Sequence, residues 1–269
     1  MVARMRTVTR TATADDGTPI GYRLTGNGPA IVLVHGAAAD ARQWSMVMPL
    51  LAPRFTVVAM DRRGRGASGP LGAGHSMKVE CGDIAAVAAA IDRPVHLVGH
   101  SSGARFALHA ARDLPHLASL TLYEPPPPEV FANGTLDALA QLEAAGDREG
   151  ILRSFLVDIA GNDEEAFAFI QRRPIWPIML DNALTLPAEL RAVRDYRFEP
   201  AAFAELDVPT LCLLGQLSGP ELGVVVTEIA GALPSARVAT LPGQAHGAMI
   251  SAPKLFAAEL RRFFDTVDA

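Results

Sequence analysis

The stretch Gly99-His100-Ser101-Ser102-Gly103 sets a serine between two glycines at G-x-S-x-G spacing. A serine hydroxyl becomes a nucleophile only with help. It needs a base to take its proton, an acid to hold that base, and N–H groups to receive the charge on the attacked oxygen. In a chain with 23 glycines the pentapeptide alone is a weak signal. Its neighbours sharpen it: the apolar run "PVHLVG" (94–99) precedes it and the helical pattern "SSGARFALHAAR" follows. A strand that turns sharply into a helix at a serine lifts the hydroxyl above the C-terminal edge of a sheet, at a backbone cost of about 1–3 kcal/mol. Ser101 is the candidate nucleophile, and the alternative is a plain strand-to-helix turn of small residues.

The elements that must position this serine alternate along the chain. "RTVTRTATADDGTPIGYRLTG" reads as two strands around a turn at Asp16-Gly17. "AIVLVH" (30–35), "FTVVAM" (55–60), "PVHLVG" (94–99) and "ASLTLY" (118–123) are continuous apolar runs, as buried parallel strands should be. "PTLCLL" (209–214) and "ARVATL" (236–241) continue the series, with helices between and a last helix at about 252–266. The pattern predicts an α/β fold: a mostly parallel central sheet flanked by helices. The alternation breaks between Glu124 and Asp207, where helical patterns appear near 135–145, 149–160, 163–172 and 187–196. That excursion is too long for a loop. The expected organisation is a core of residues 1–124 and 207–269 with an inserted helical cap at 125–206.

Four segments carry a resemblance to the α/β-hydrolase fold superfamily. "VHGAAADARQW" (34–44) resembles its oxyanion segment, "MDRRGRGASGP" (60–70) its Asp-x-Arg-Gly-x-Gly-x-Ser loop, "GHSSG" its nucleophile elbow and "LPGQAHGAMISAP" (241–253) its catalytic-histidine loop. The resemblance implies the chain order serine, acid, histidine. Of seven histidines, His246 is then the expected base. His35 is implied to shape its loop, and His100 fills a variable motif position and reads as local packing. The oxyanion hole is implied to be the backbone N–H groups of Ala37 and Ser102.

The acid is harder to place. Such folds commonly carry it after the strand matching "PTLCLL", about three residues past a glycine. Here that stretch is Gly215-Gln216-Leu217-Ser218, with no carboxylate. Glu124, one residue past "ASLTLY", is the preferred candidate, because some members of the superfamily place the acid there. Glu221 is the alternative, though it also suits a helix start. With no acid at all, a non-hydrolytic receptor for a small ligand on the same fold becomes the rival reading.

The totals bound the remaining functions. A net charge of -5 gives no basic patch for nucleic acid, and no apolar run reaches the roughly 18 residues of a membrane span. Two cysteines far apart fit a reduced, cytoplasmic protein. "GRGASG" (64–69) has dinucleotide-fingerprint spacing, but Pro70, Gly72 and Gly74 follow where a helix should start. No metal-ligand spacing is present, so neither cofactor nor metal is expected. The expected activity is a serine hydrolase cleaving a small, largely apolar ester, lactone or thioester. A cofactor-free perhydrolase or lyase would use the same groups. Trp44, Phe131, Phe155, Trp176 and Met179 are the expected pocket residues.

Overall fold

The structure is a computed structural model that describes residues 6–127, 134–194 and 197–268. Strands β1 (Val8–Thr13) and β2 (Pro19–Thr25) form the expected antiparallel hairpin, closed by Gly17 at φ +83°. β3 (Ala30–Val34) leads through a 3-10 turn at Ala41–Trp44 and the short α1 (Met48–Leu51) to β4 (Thr56–Met60). Then follow α2 (Met77–Ile91), β5 (Val95–His100), α3 (Ser102–Ala110) and β6 (Leu117–Tyr123).

The sheet runs β1-β2-β4-β3-β5-β6-β7-β8, where β7 is Thr210–Gly215 and β8 is Ala236–Leu241. From β4 onward every neighbouring pair is parallel. Every residue of β3, β4 and β5 is buried. That is why these strands read as unbroken apolar runs: helices cover both faces. One core face packs Val87, Phe106, Leu108 and Ile229. The other packs Trp44, Leu51, Phe256 and Phe264 from the C-terminal helices.

Between β6 and β7 the described residues form helices: α4 (Thr135–Ala145), α5 (Arg148–Arg153) with a π-helical turn at Ser154–Ile159, α6 (Glu164–Gln171), α7 (Trp176–Asn182) and α8 (Leu186–Arg194). They share a third apolar cluster built on Leu139, Ile151, Leu152 and Leu186, and that cluster reaches Ala38 of the oxyanion segment. α7 was not anticipated. Pro174 and Pro177 break the helical pattern in sequence, yet Pro177 sits in the first turn, where its missing N–H costs nothing. After β7 come α9 (Pro220–Ala232), then β8, α10 (Ala248–Ser251) and α11 (Pro253–Val267). No helix among the described residues is long and apolar enough to cross a membrane.

Candidate active site

Ser101 stands between β5 and α3 at φ 54°, ψ −125°, a conformation that non-glycine residues rarely hold. The flanking glycines answer to close approach. A Cβ on Gly99 would sit 2.5 Å from the Ala104 Cα, and one on Gly103 would sit 2.3 Å from the His35 oxygen. The Ser101 N–H donates to the Tyr123 carbonyl at 2.9 Å, which fixes the turn to the end of β6. This is the sharp strand-to-helix turn expected from the sequence.

His246 lies in the loop between β8 and α10, with 44 % of its side chain exposed. Glu124, one residue past β6, is fully buried at φ 45°. Its Oε2 accepts from His246 Nδ1 at 2.6 Å. Its Oε1 accepts the Gly215 N–H at 2.6 Å and the Ser218 hydroxyl at 2.5 Å. The loop that carries no carboxylate therefore supplies donors to one on the neighbouring strand. Burial pushes the Glu124 carboxyl up, but the bonds from His246, Ser218 and Gly215 outweigh it and leave the group below its usual range. With Nδ1 bonded to Glu124, Nε2 is the other ring nitrogen. Tyr123 braces the same loop: its hydroxyl donates to the Ala245 carbonyl and accepts the Ala248 N–H at 3.3 Å. Glu221, the alternative acid, is exposed in the first turn of α9 and folds back over Gly219.

The oxyanion segment presses against the elbow. A Cβ on Gly36 would lie 2.9 Å from His100 Nδ1 and 3.0 Å from the Ser101 Cβ. Ala37 follows it, and Ala38 turns the chain at φ 50°. Ser102 opens α3, where a first-turn N–H has no partner within the helix. His35 is buried and braces its loop: Nδ1 donates to the Gly36 carbonyl at 2.8 Å and Nε2 accepts the Arg62 N–H at 3.1 Å. Burial, with the nearby Arg65 and Arg62 charges, pushes the imidazole far below its usual value and keeps it neutral.

Sequence reasoning missed a buried ion cluster beside Ser102. Arg62 donates to Glu80 at 2.8 and 2.5 Å and to Glu189 of α8 at 2.8 Å, and Arg65 also pairs with Glu189. The Ser102 hydroxyl donates to Glu189 at 2.5 Å. All four charged side chains are fully removed from water. The available signal was the pair of extra arginines in "DRRGRG" and a glutamate on the otherwise apolar face of 186–194. The glycine-rich turn there is shaped by Asp61, which accepts the Ala41 and Ala67 N–H groups; a Cβ on Gly66 would strike its carboxylate.

The expected pocket residues divide. Phe155, Trp176 and Met179 belong to the apolar cluster of the inserted helices, with Trp176 edge-on to Phe167 at 5.7 Å. Trp44 is corrected: it is fully buried in the core beneath the sheet, 6.1 Å from the Phe256 ring, because its helical turn packs on the C-terminal helices. Phe131 lies outside the described residues.

Residues 31–259 match the sequence model of the alpha/beta hydrolase family. Pimeloyl-[acyl-carrier protein] methyl ester esterase of Methylococcus capsulatus is 33% identical over 81% of this chain and 89% of its own. N-formylmaleamate deformylase of Pseudomonas putida is 41% identical over 54% of this chain and 53% of its own. The crystal structure of an alpha/beta hydrolase from Sphaerobacter thermophilus superposes with a TM-score of 0.87 at 34% identity, covering 95% of this chain and 100% of that one.

Proposed function

The chain belongs to the alpha/beta hydrolase family, and from that premise we propose that it is a serine hydrolase working through an acyl-enzyme. The observation that carries the reading is the 2.6 Å bond from His246 Nδ1 to the buried Glu124 carboxylate, on a loop bonded to His100, the residue before the strained Ser101. His246 Nε2 takes the Ser101 proton as the serine oxygen attacks a carbonyl carbon. The imidazolium so formed is stabilised by Glu124, which also holds the productive tautomer. The Ala37 and Ser102 N–H groups receive the oxyanion. His246 then returns its proton to the leaving group, and water, activated by the same nitrogen, releases the acyl group. An esterase and a deformylase among the relatives support acyl chemistry at this serine.

The substrate class we favour is a small, largely apolar ester, lactone or thioester. Residues 125–206 would form a cap over it. Two observations support this. The apolar cluster of the inserted helices reaches the oxyanion segment at Ala37 and Ala38. The arginines beside Ser102 are already paired with Glu80 and Glu189. The receptor alternative rests on the missing acid at 217–218, and the bond from His246 to Glu124 favours the hydrolase reading over it. Both cysteines, Cys81 and Cys212, are free thiols, which fits a cytoplasmic location.

A fluorophosphonate probe and a panel of short acyl esters test the proposal. Labelling should fall on Ser101 and vanish in Ser101→Ala, with Ser102→Ala still labelled. Persistent labelling of Ser101→Ala, or a preference for polyanionic esters, would overturn it.

A further inference from the structure

We propose that His100 and Gln43 are positioning residues that tie the loop of His246 to the oxyanion segment; the inference rests on the serine-hydrolase reading. The tie is a chain of three hydrogen bonds. The Gly36 N–H donates to Gln43 Oε1 at 3.4 Å, Gln43 Nε2 donates to His100 Nδ1 at 2.9 Å, and His100 Nε2 donates to the His246 carbonyl at 2.9 Å.

Both ends of this chain are backbone groups, so its polarity has one solution. The His246 carbonyl can only accept, which places the imidazole proton of His100 on Nε2. Nδ1 is then bare and can only accept, so Gln43 must turn its amide nitrogen toward it. That leaves the amide oxygen for the Gly36 N–H, which can only donate. A flip of the amide or a change of tautomer would break two bonds at once.

The position of His100 gives the chain its consequence. It immediately precedes the nucleophile, its ring centroid is 4.5 Å from that of His246, and Gly36 immediately precedes the oxyanion donor Ala37. His100 and Gln43 are both buried, and Gly36 has no room for a Cβ beside His100. Burial first, and the His246 charge second, hold His100 far below its usual pKa, so it stays neutral and keeps its acceptor. Tyr123 grips the histidine loop at Ala245 and Ala248, and His100 grips it at His246 itself. A catalytic group displaced by 1 Å can lose about 10² in rate. The chain therefore fixes the loop of the base relative to that of the oxyanion donor.

His100→Asn and His100→Gln separate this role from simple packing. The glutamine amide nitrogen reaches toward the place of Nε2 and keeps the bond to the His246 carbonyl; the shorter asparagine does not. His100→Asn should lower kcat and the rate of fluorophosphonate labelling about 10- to 100-fold with KM within about threefold, and His100→Gln should recover to within about fivefold of wild type. Gln43→Leu repeats the test should His100→Asn fold poorly, with kcat again falling and KM kept. Equal losses in the two His100 variants, losses confined to KM or to melting temperature, or an unaffected His100→Asn or Gln43→Leu would overturn the inference. Wild-type protein that neither labels at Ser101 nor cleaves esters would instead overturn the serine-hydrolase reading, and that result needs no variant.

Discussion

Glu124 and Glu189 are both fully buried, and both lie one hydrogen bond from the catalytic neighbourhood, Glu124 at His246 and Glu189 at the Ser102 hydroxyl. Their surroundings differ in kind. Glu189 faces two permanent cations, Arg62 and Arg65. Burial pushes its carboxyl up, but those charges win by a wide margin and hold it far below the ordinary 4.5. Glu124 faces no arginine: its fixed donors, Gly215 and Ser218, are neutral, and its third partner is a histidine. An imidazole is charged only when it has taken a proton. Glu189 is thus satisfied at all times, whereas Glu124, under the proposed mechanism, gains most in the state where His246 would hold the serine's proton. On that proposal, a carboxylate best stabilised only in that state would serve turnover, and one saturated by fixed charges would serve structure.

Four experiments can break or sharpen this contrast. The largest expected effect is on Glu124→Gln. Kinetics should show kcat reduced about 10²- to 10⁴-fold, because an amide can hold the wrong imidazole tautomer and cannot balance its charge. Thermal melting should move little. Next, Glu189→Gln should cost about 3–5 kcal/mol in urea unfolding, since it leaves the buried Arg65 without a carboxylate and Arg62 with Glu80 alone. The kcat of its folded fraction should stay within about tenfold. If the two variants exchange these behaviours, the contrast is wrong.

The third experiment follows stability against pH. The folded-state pKa of Glu189 is depressed, so its stabilisation is fully present above the ordinary value of 4.5 and is lost as pH falls from there toward the folded value. The stability gap between wild type and Glu189→Gln should therefore narrow as the pH of a urea titration is lowered below about 4.5. A gap that stays constant would mean that Glu189 contributes shape rather than charge. The smallest effect belongs to Glu221→Gln, an exposed position: kcat within about twofold and stability within about 0.5 kcal/mol.

The sheet was legible because burial on both faces writes β3, β4 and β5 as uninterrupted apolar runs. The turn at Ser101 and the loop of His246 were legible because a sharp turn and a glycine-rich loop need local sequence. The surroundings of Glu124 were only half legible, since its bonds depend on β6 lying between β5 and β7 and on donors 91 and 94 residues away. The His100 chain could not be read at all: a histidine in a motif's variable position does not reveal which carbonyl it will meet. The Arg62–Glu189 pair, 127 residues apart, was hidden for the same reason. Trp44 misled because an aromatic near an oxyanion segment suits a pocket and a core equally well; only α11, packing beneath it, decides.

The Ser218 hydroxyl, 2.5 Å from Glu124 Oε1, marks a point in space that two strands can reach. Position 218 is three residues past Gly215, where the family resemblance led one to expect the acid. A lineage could therefore move its acid from one strand to the other without an inactive ancestor. An aspartate arising at 218 would first share the site with Glu124, and two carboxylates so close would hold one proton between them. Loss of Glu124 would then leave the newcomer facing His246. The Ser218–Glu124 hydrogen bond brings the ends of the two strands to one point, which would let such an exchange run in either direction.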